Sequence, residues 1–223
     1  MKNLKMGVII IVLGIMMTIS CKPLSKTQKG AAVGTATGTA MGAIIGKATG
    51  NTALGAIVGA AVGGTAGAVI GRKMDKQAEE IKKSVPDAQV IRVGEGIVVE
   101  FSSSILFGFD KSNLSKEAKS NLDKLASILK EYDETNVEVQ GHTDSKGSES
   151  YNKTLSEDRA STVSLYLVEK GIKNTRLTIN GFGEILPKYI NTTEEGRLLN
   201  RRVEFLITAN DKMKADAKTE MTK

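Results

Sequence analysis

The chain has 223 residues and a formal net charge of +6, with one histidine, one cysteine and no tryptophan. That inventory leaves no His/Cys metal cluster, no Cys–His nucleophilic pair and no intramolecular disulfide. The basic excess does not point to nucleic acid: residues 22–85 hold nine Lys/Arg against three Asp/Glu, whereas residues 86–209 hold sixteen against nineteen.

Residues 1–20 have the order of a secretory signal peptide: a basic start at Lys2 and Lys5, an uncharged apolar run over 6–17, then Thr18-Ile19-Ser20. The run is short of the roughly 20 apolar residues that a spanning helix needs. Cys21 follows directly, and a lone cysteine there resembles the bacterial lipobox, where the thiol takes a diacylglycerol and palmitate-type acylation makes it an anchor. Thr18 departs from that pattern, which usually carries leucine. Lys22 in place of aspartate is what the resemblance associates with sorting to the outer membrane. Residues 21–29 then read as a lipid-anchored linker.

Glycine recurs at every fourth position from Gly30 to Gly50 and, after a break at Asn51, from Gly55 to Gly71. Residues four apart share a helix face, so each run would show a smooth glycine strip. In water each interior glycine costs roughly 1 kcal/mol against alanine, but in lipid such a strip lets two helices approach closely. Residues 30–72 are therefore expected to form a glycine-zipper helical hairpin, associated with the membrane or with a second copy of itself. Residues 52–71 are twenty uncharged residues, about one bilayer crossing, and Lys47 in the first run could snorkel to the headgroups. Residues 73–85 are expected to be a solvated, charged helical spacer that ends before Pro86.

From residue 86 to 209 strand and helix alternate. "QVIRVGEGIVVEF" is two apolar runs around Gly94-Glu95-Gly96, a hairpin signal. Ser115 can cap a helix carrying Ala118, Leu122, Leu125 and Leu129 at helical spacing. Val137 and Val139 alternate with Glu138 and Gln140 as a half-buried strand. A second helix begins near Ser148, turns Ala160, Val163 and Leu167 inward, and ends at Gly171. Leu177 and Ile179 mark the next strand, Thr192 with Glu195 predicts a capping box, and Val203, Phe205 and Ile207 form the last strand. This predicts an α/β fold, a mixed sheet with helices packed on one face. Residues 210–223 read as a charged tail.

Binding chemistry is better supplied than catalysis. Asp144 stands just past a strand end, where α/β sheets form their sites. Asn152 and Arg159 are seven residues apart on one helix face. Asp144 can accept from an ammonium while Arg159 grips a carboxylate in a bidentate fork. From spacing alone, a mutual salt bridge is an equal alternative to a clamp for a zwitterion. Asp110 and Asp144 could in principle do glycosidase work, but nothing sets them apart as acid and base. His142 is expected to hold the loop by a hydrogen bond.

Four ordered stretches carry a further signal: "FGFDKSNLS", "GHTDSKGSESYNKTLSEDRA", "INGFGEILP" and "NTTEEGRLLNRRVEF". Together they resemble the OmpA C-terminal-like peptidoglycan-binding domain over residues 86–209, and the N-terminal part resembles lipid-anchored members with a glycine zipper. The resemblance implies non-covalent binding of the peptidoglycan stem peptide at meso-diaminopimelate, without catalysis, metal or cofactor. The binding aspartate and arginine map onto Asp144 and Arg159, and the supporting positions onto Asp110, Asn152, Arg201 and Arg202. "GEILP" replaces a more polar stretch usual in the family, which leaves the rim of the site open. The expected protein is an outer-membrane lipoprotein with a periplasmic domain that tethers the envelope to the wall. The alternative is a glycine-zipper oligomer or pore that this domain merely positions.

Overall fold

A computed structural model describes residues 62, 64–108 and 111–220. Cys21, Asp110 and the glycines from Gly30 to Gly63 lie outside the described residues, and so do the expectations that rest on them.

The elements run α1 (Gly64–Ser84), β1 (Gln89–Val93), β2 (Gly96–Ser102), α2 (Ser103–Leu106), α3 (Lys116–Glu131), β3 (Thr135–His142), α4 (Glu149–Glu169), a 3-10 turn (Asn174–Arg176), β4 (Leu177–Gly181), α5 (Glu194–Asn200), β5 (Arg202–Ala209) and α6 (Asp211–Thr219). The sheet has five strands in the order β1-β2-β5-β3-β4. Only β3 and β4 are parallel; the other pairs are antiparallel, so the sheet is mixed as expected.

Local chemistry sets the ends of these elements. Gly94, at φ 53°, makes the β1–β2 turn at a conformation a side chain would strain. The Ser115 hydroxyl accepts from the Ala118 N–H at 2.9 Å and starts α3. Ser148 does the same for α4, accepting from the Tyr151 N–H at 3.2 Å. The cap of α5 is Thr193, not Thr192: its hydroxyl accepts from the Gly196 N–H at 3.1 Å. The one-residue shift leaves both Glu194 and Glu195 in the first turn, where the helix dipole favours them.

One face of the sheet carries the apolar core. Val203, Phe205 and Ile207 of β5 lie there with Val137 and Val139 of β3, under Leu122, Leu125 and Leu129 of α3 and Val163 and Leu167 of α4. Alternation sends Arg202, Glu204, Gln140 and His142 to the opposite face. They are nonetheless buried, because the segment after β4 folds across them: Lys188 bonds Glu100 at 2.5 Å, and Arg202 donates to the Leu186 carbonyl at 3.3 Å.

Two expectations about the flanks are corrected. The segment read as a solvated spacer is the second half of α1, and it is docked: Ile70, Met74 and Ile81 are fully buried in the domain core. Gly67 and Gly71 of the glycine series belong to this same helix, and Gly67 sits against Glu95 of the β1–β2 turn. No helix among the described residues is long and apolar enough to cross a membrane. The segment read as a charged tail forms α6, which buries Met213 and Ala217. Glu134 ties both flanks down, accepting from Lys73 of α1 at 3.2 Å and from Lys212 of α6.

Candidate functional site

The sheet brings the site together at the shared C-terminal end of β3 and β4, where parallel neighbours leave a crevice. Helix α4 approaches this end unusually closely, since Gly141 of β3 and Gly181 of β4 present no side chain to it. A Cβ on Gly141 would lie 2.1 Å from the Ser156 carbonyl oxygen. The two strand exits are then stitched together: the Thr143 N–H donates to the Gly183 carbonyl at 2.9 Å, and the Gly183 N–H to the Ser156 hydroxyl at 2.8 Å.

Around this end lies a cleft of about 500 Å³ whose walls include Asp144, Asn152, Arg159 and Arg201. Asp144 and Arg159 are 6% and 4% exposed, so both charges are withdrawn from bulk water yet border the cavity. One Asp144 carboxylate oxygen accepts from the Lys146 N–H at 2.8 Å, and the other is paired with the Arg201 guanidinium. Arg159 donates through Nε to the Lys111 carbonyl at 3.1 Å, and its guanidinium lies over the Phe107 ring at 5.3 Å. Such a bond and a cation–π contact hold the fork at a fixed angle.

Asn152 has a positioning part. Its side-chain amide donates to the Asp144 carbonyl at 3.2 Å and the Lys146 carbonyl at 3.0 Å, and also to Glu184. It thus clips the loop that carries Asp144 to helix α4. At the outer rim, Glu194 lies 3.7 Å from Lys146 and 3.6 Å from Arg201. The Arg197 guanidinium, helped by Lys146 and Arg201, holds the Glu194 carboxyl below its usual range.

Of the six ligand-binding residues expected from the sequence, Asp144, Asn152, Arg159 and Arg201 meet at the cleft and Asp110 is outside the described residues. Arg202 is corrected. It is 1% exposed and bonded to Glu204 at 2.6 Å on the opposite face of the sheet. Adjacent residues entering a strand point opposite ways, so one arginine of the pair reaches the cleft and the other is structural. The loop-holding hydrogen bond expected of His142 is corrected too. Its ring stacks on Phe182 at 5.4 Å, and neither ring nitrogen has a hydrogen-bond partner among the described residues. Burial, reinforced by the Arg202 charge, lowers its pKa to about 3.

Phe107, Lys146 and Glu194 were not anticipated from the sequence. The ion partner of Asp144 was not anticipated either: Arg201 lies 57 residues further along the chain, where local spacing gives no hint.

Comparison with known proteins falls on the same stretch. Residues 106–201 match the OmpA family, and residues 1–75 match the YMGG-like Gly-zipper. The outer-membrane lipoprotein YfiB of Pseudomonas aeruginosa is 36% identical over 115 residues, 52% of this chain and 68% of that protein. Outer membrane porin F of Pseudomonas fluorescens is 42% identical over 124 residues, 56% of this chain, which spans only 36% of that relative's length. The peptidoglycan-binding protein ArfA of Mycobacterium tuberculosis is 38% identical over 103 residues, 46% of this chain and 32% of that protein. A MotB-like protein from Desulfovibrio vulgaris superposes with a TM-score of 0.58 at 25% identity, covering 63% of this chain and 94% of that one. The cell wall anchor of the T6SS from Pseudomonas aeruginosa gives 0.54 at 26% identity, covering 61% and 97%. The five-stranded mixed sheet, the motifs around its cleft and these matches all fall on one stretch of chain, and the chain belongs to the OmpA family.

Proposed function

We propose that this protein binds peptidoglycan non-covalently through the Asp144–Arg159 cleft, and that it tethers an outer membrane to the wall through a lipid on Cys21. In this reading Asp144 accepts from the ammonium of meso-diaminopimelate in the stem peptide, and Arg159 grips the neighbouring carboxylate. Arg201 sets the Asp144 carboxylate in place and shares the ligand's negative charge. The reading is of a binding protein, with the domain in the periplasm.

The observation that carries the proposal is the burial of two opposite charges on the walls of one cavity. Charges that are desolvated and bordering open space are suited to a ligand that supplies both complements. Relatives named for peptidoglycan binding and for cell-wall anchoring support the choice of ligand.

Sedimentation with purified sacculi tests it. Removing one partner of a buried charge pair costs about 2–5 kcal/mol, so Asp144→Ala and Arg159→Ala should each weaken binding roughly 30-fold or more. Walls with lysine in place of diaminopimelate keep the ammonium and lack the carboxylate; wild type should bind them poorly, and Arg159→Ala should lose little further. Thermal melts on the same samples separate binding from folding. Folded variants that sediment like wild type would overturn the clamp.

A further inference from the structure

The strap that crosses the polar face of the sheet, residues 182–190, lies outside the clamp, yet Asp144 and Arg201 both hang on it. At its start, the Gly183 carbonyl accepts from the Thr143 N–H at 2.9 Å, next to Asp144, and Glu184 accepts from the Asn152 side chain. At its end, the Lys188 and Tyr189 N–H groups each donate to the Asn200 side chain at 2.9 Å, next to Arg201. Large apolar side chains do not hold the strap down: Ile185 and Ile190 are 59% and 70% exposed. What it covers is polar. The Lys188–Glu100 and Arg202–Glu204 pairs put two charges of each sign in this layer, and the Phe182 ring stacks on His142 at 5.4 Å.

We propose that this strap is a proton-operated latch: a proton on His142 lifts it, Asp144 and Arg201 lose their fixed places, and the wall is released in acid. The proposal rests on the peptidoglycan reading of the clamp. His142 is fully buried, and neither ring nitrogen has a partner among the described residues, so a protonated ring would find no acceptor under the closed strap. The charged groups facing it are Arg202, its partner across the β3–β5 ladder, Glu204 of β5 and Lys188 of the strap. Glu100 of β2 is taken up by Lys188, and Glu138, further along β3, by Gln140 and Asn180 at 2.7 and 2.6 Å. A proton would therefore set three positive charges against two negative ones in the layer under the strap. Lifting the strap lets water reach the ring and leaves intact the apolar core, which lies on the other face of the sheet.

Burial and the Arg202 charge hold the pKa of the covered ring at about 3, against 6.5 for a ring in water. Between those values acid therefore favours the open strap by about tenfold per pH unit.

Two measurements on the full chain from pH 7 to pH 4, with folding followed by circular dichroism, test the latch. In sedimentation with sacculi, wild-type binding should fall by about tenfold or more across this range. His142→Phe, which keeps a ring against Phe182 and takes no proton, should hold its binding to within about threefold, and His142→Gln should do the same. In amide exchange corrected for intrinsic rate, Lys188 and Tyr189 of wild type should speed up by about tenfold per pH unit below pH 6, ahead of the amides of β3 and β5. Equal pH profiles for wild type and both variants, or strap amides that exchange only together with those of β3 and β5, would overturn the latch and leave the clamp standing. Failure of wild type to bind sacculi at pH 7 would overturn the clamp, and the latch with it.

Discussion

His142 is the only histidine in the chain, which makes its titration a clean probe of the polar face of the sheet. Burial lowers its folded pKa to about 3 from 6.5. Between those values the unfolded chain takes up a proton that the folded one refuses, so stability falls as pH drops below the unfolded value. The slope is about 1.4 kcal/mol per pH unit, or roughly 2 kcal/mol lost by pH 5. His142→Gln should flatten the pH 5–7 part of the stability curve, whatever it does to the absolute stability. The imidazole NMR resonances of the folded wild type should not titrate above pH 5. An ordinary titration near 6.5 would mean that water reaches the ring, and that the layer formed with Arg202 and Glu204 opens in solution.

Between elements, the contact most open to test is Glu134, which joins α1 and α6 to the domain. The Lys212 ammonium, with Lys73 beside it, lowers the Glu134 pKa from its ordinary 4.5. A lowered carboxylate contributes stability above its unfolded pKa and loses it as pH falls through the folded value. Glu134→Gln should therefore cost about 0.5–1.5 kcal/mol at neutral pH, and the gap to wild type should close in acid. Faster amide exchange confined to α1 and α6 would assign that cost to their docking; uniform exchange would remove Glu134 from this part. The elements of the domain itself were legible in the sequence because cap, periodicity and stop agreed, as at Ser115 and Ser148. Docking of α1 was not. Ile70, Met74, Ala78 and Ile81 recur at helical spacing, but their stripe shares the period of four with the glycines, and charges fill the other faces. The site shows the same division. Asp144, Asn152 and Arg159 lie within one loop–helix stretch and could be placed by spacing. The separate fates of Arg201 and Arg202 depend on where β5 starts, and their shared chemistry says nothing of that.

At the scale of the molecule, the docked helix adds residues 64–84 to the folded unit that the sequence led us to start at residue 86. Standing free, α1 would be a strut of about 30 Å at 1.5 Å per residue. Packed on the domain it adds no such reach. The boundary is measurable with two fragments, 62–223 and 86–223. Ile70, Met74 and Ile81 are 0% exposed, and burying each such side chain stabilises by about 1.5–3 kcal/mol, an upper estimate because unfolded chains already bury part of that surface. The longer fragment should be the more stable of the two. The shorter should lose at least about 3 kcal/mol, a fall of roughly 6–12 °C in Tm for a unit of this size, and should bind a hydrophobic dye where α1 is missing. Met74→Ala in the full chain should reproduce part of the loss, about 2–5 kcal/mol, with no change of length. Equal melting temperatures for the two fragments would return α1 to the status of a spacer and restore its length to the tether.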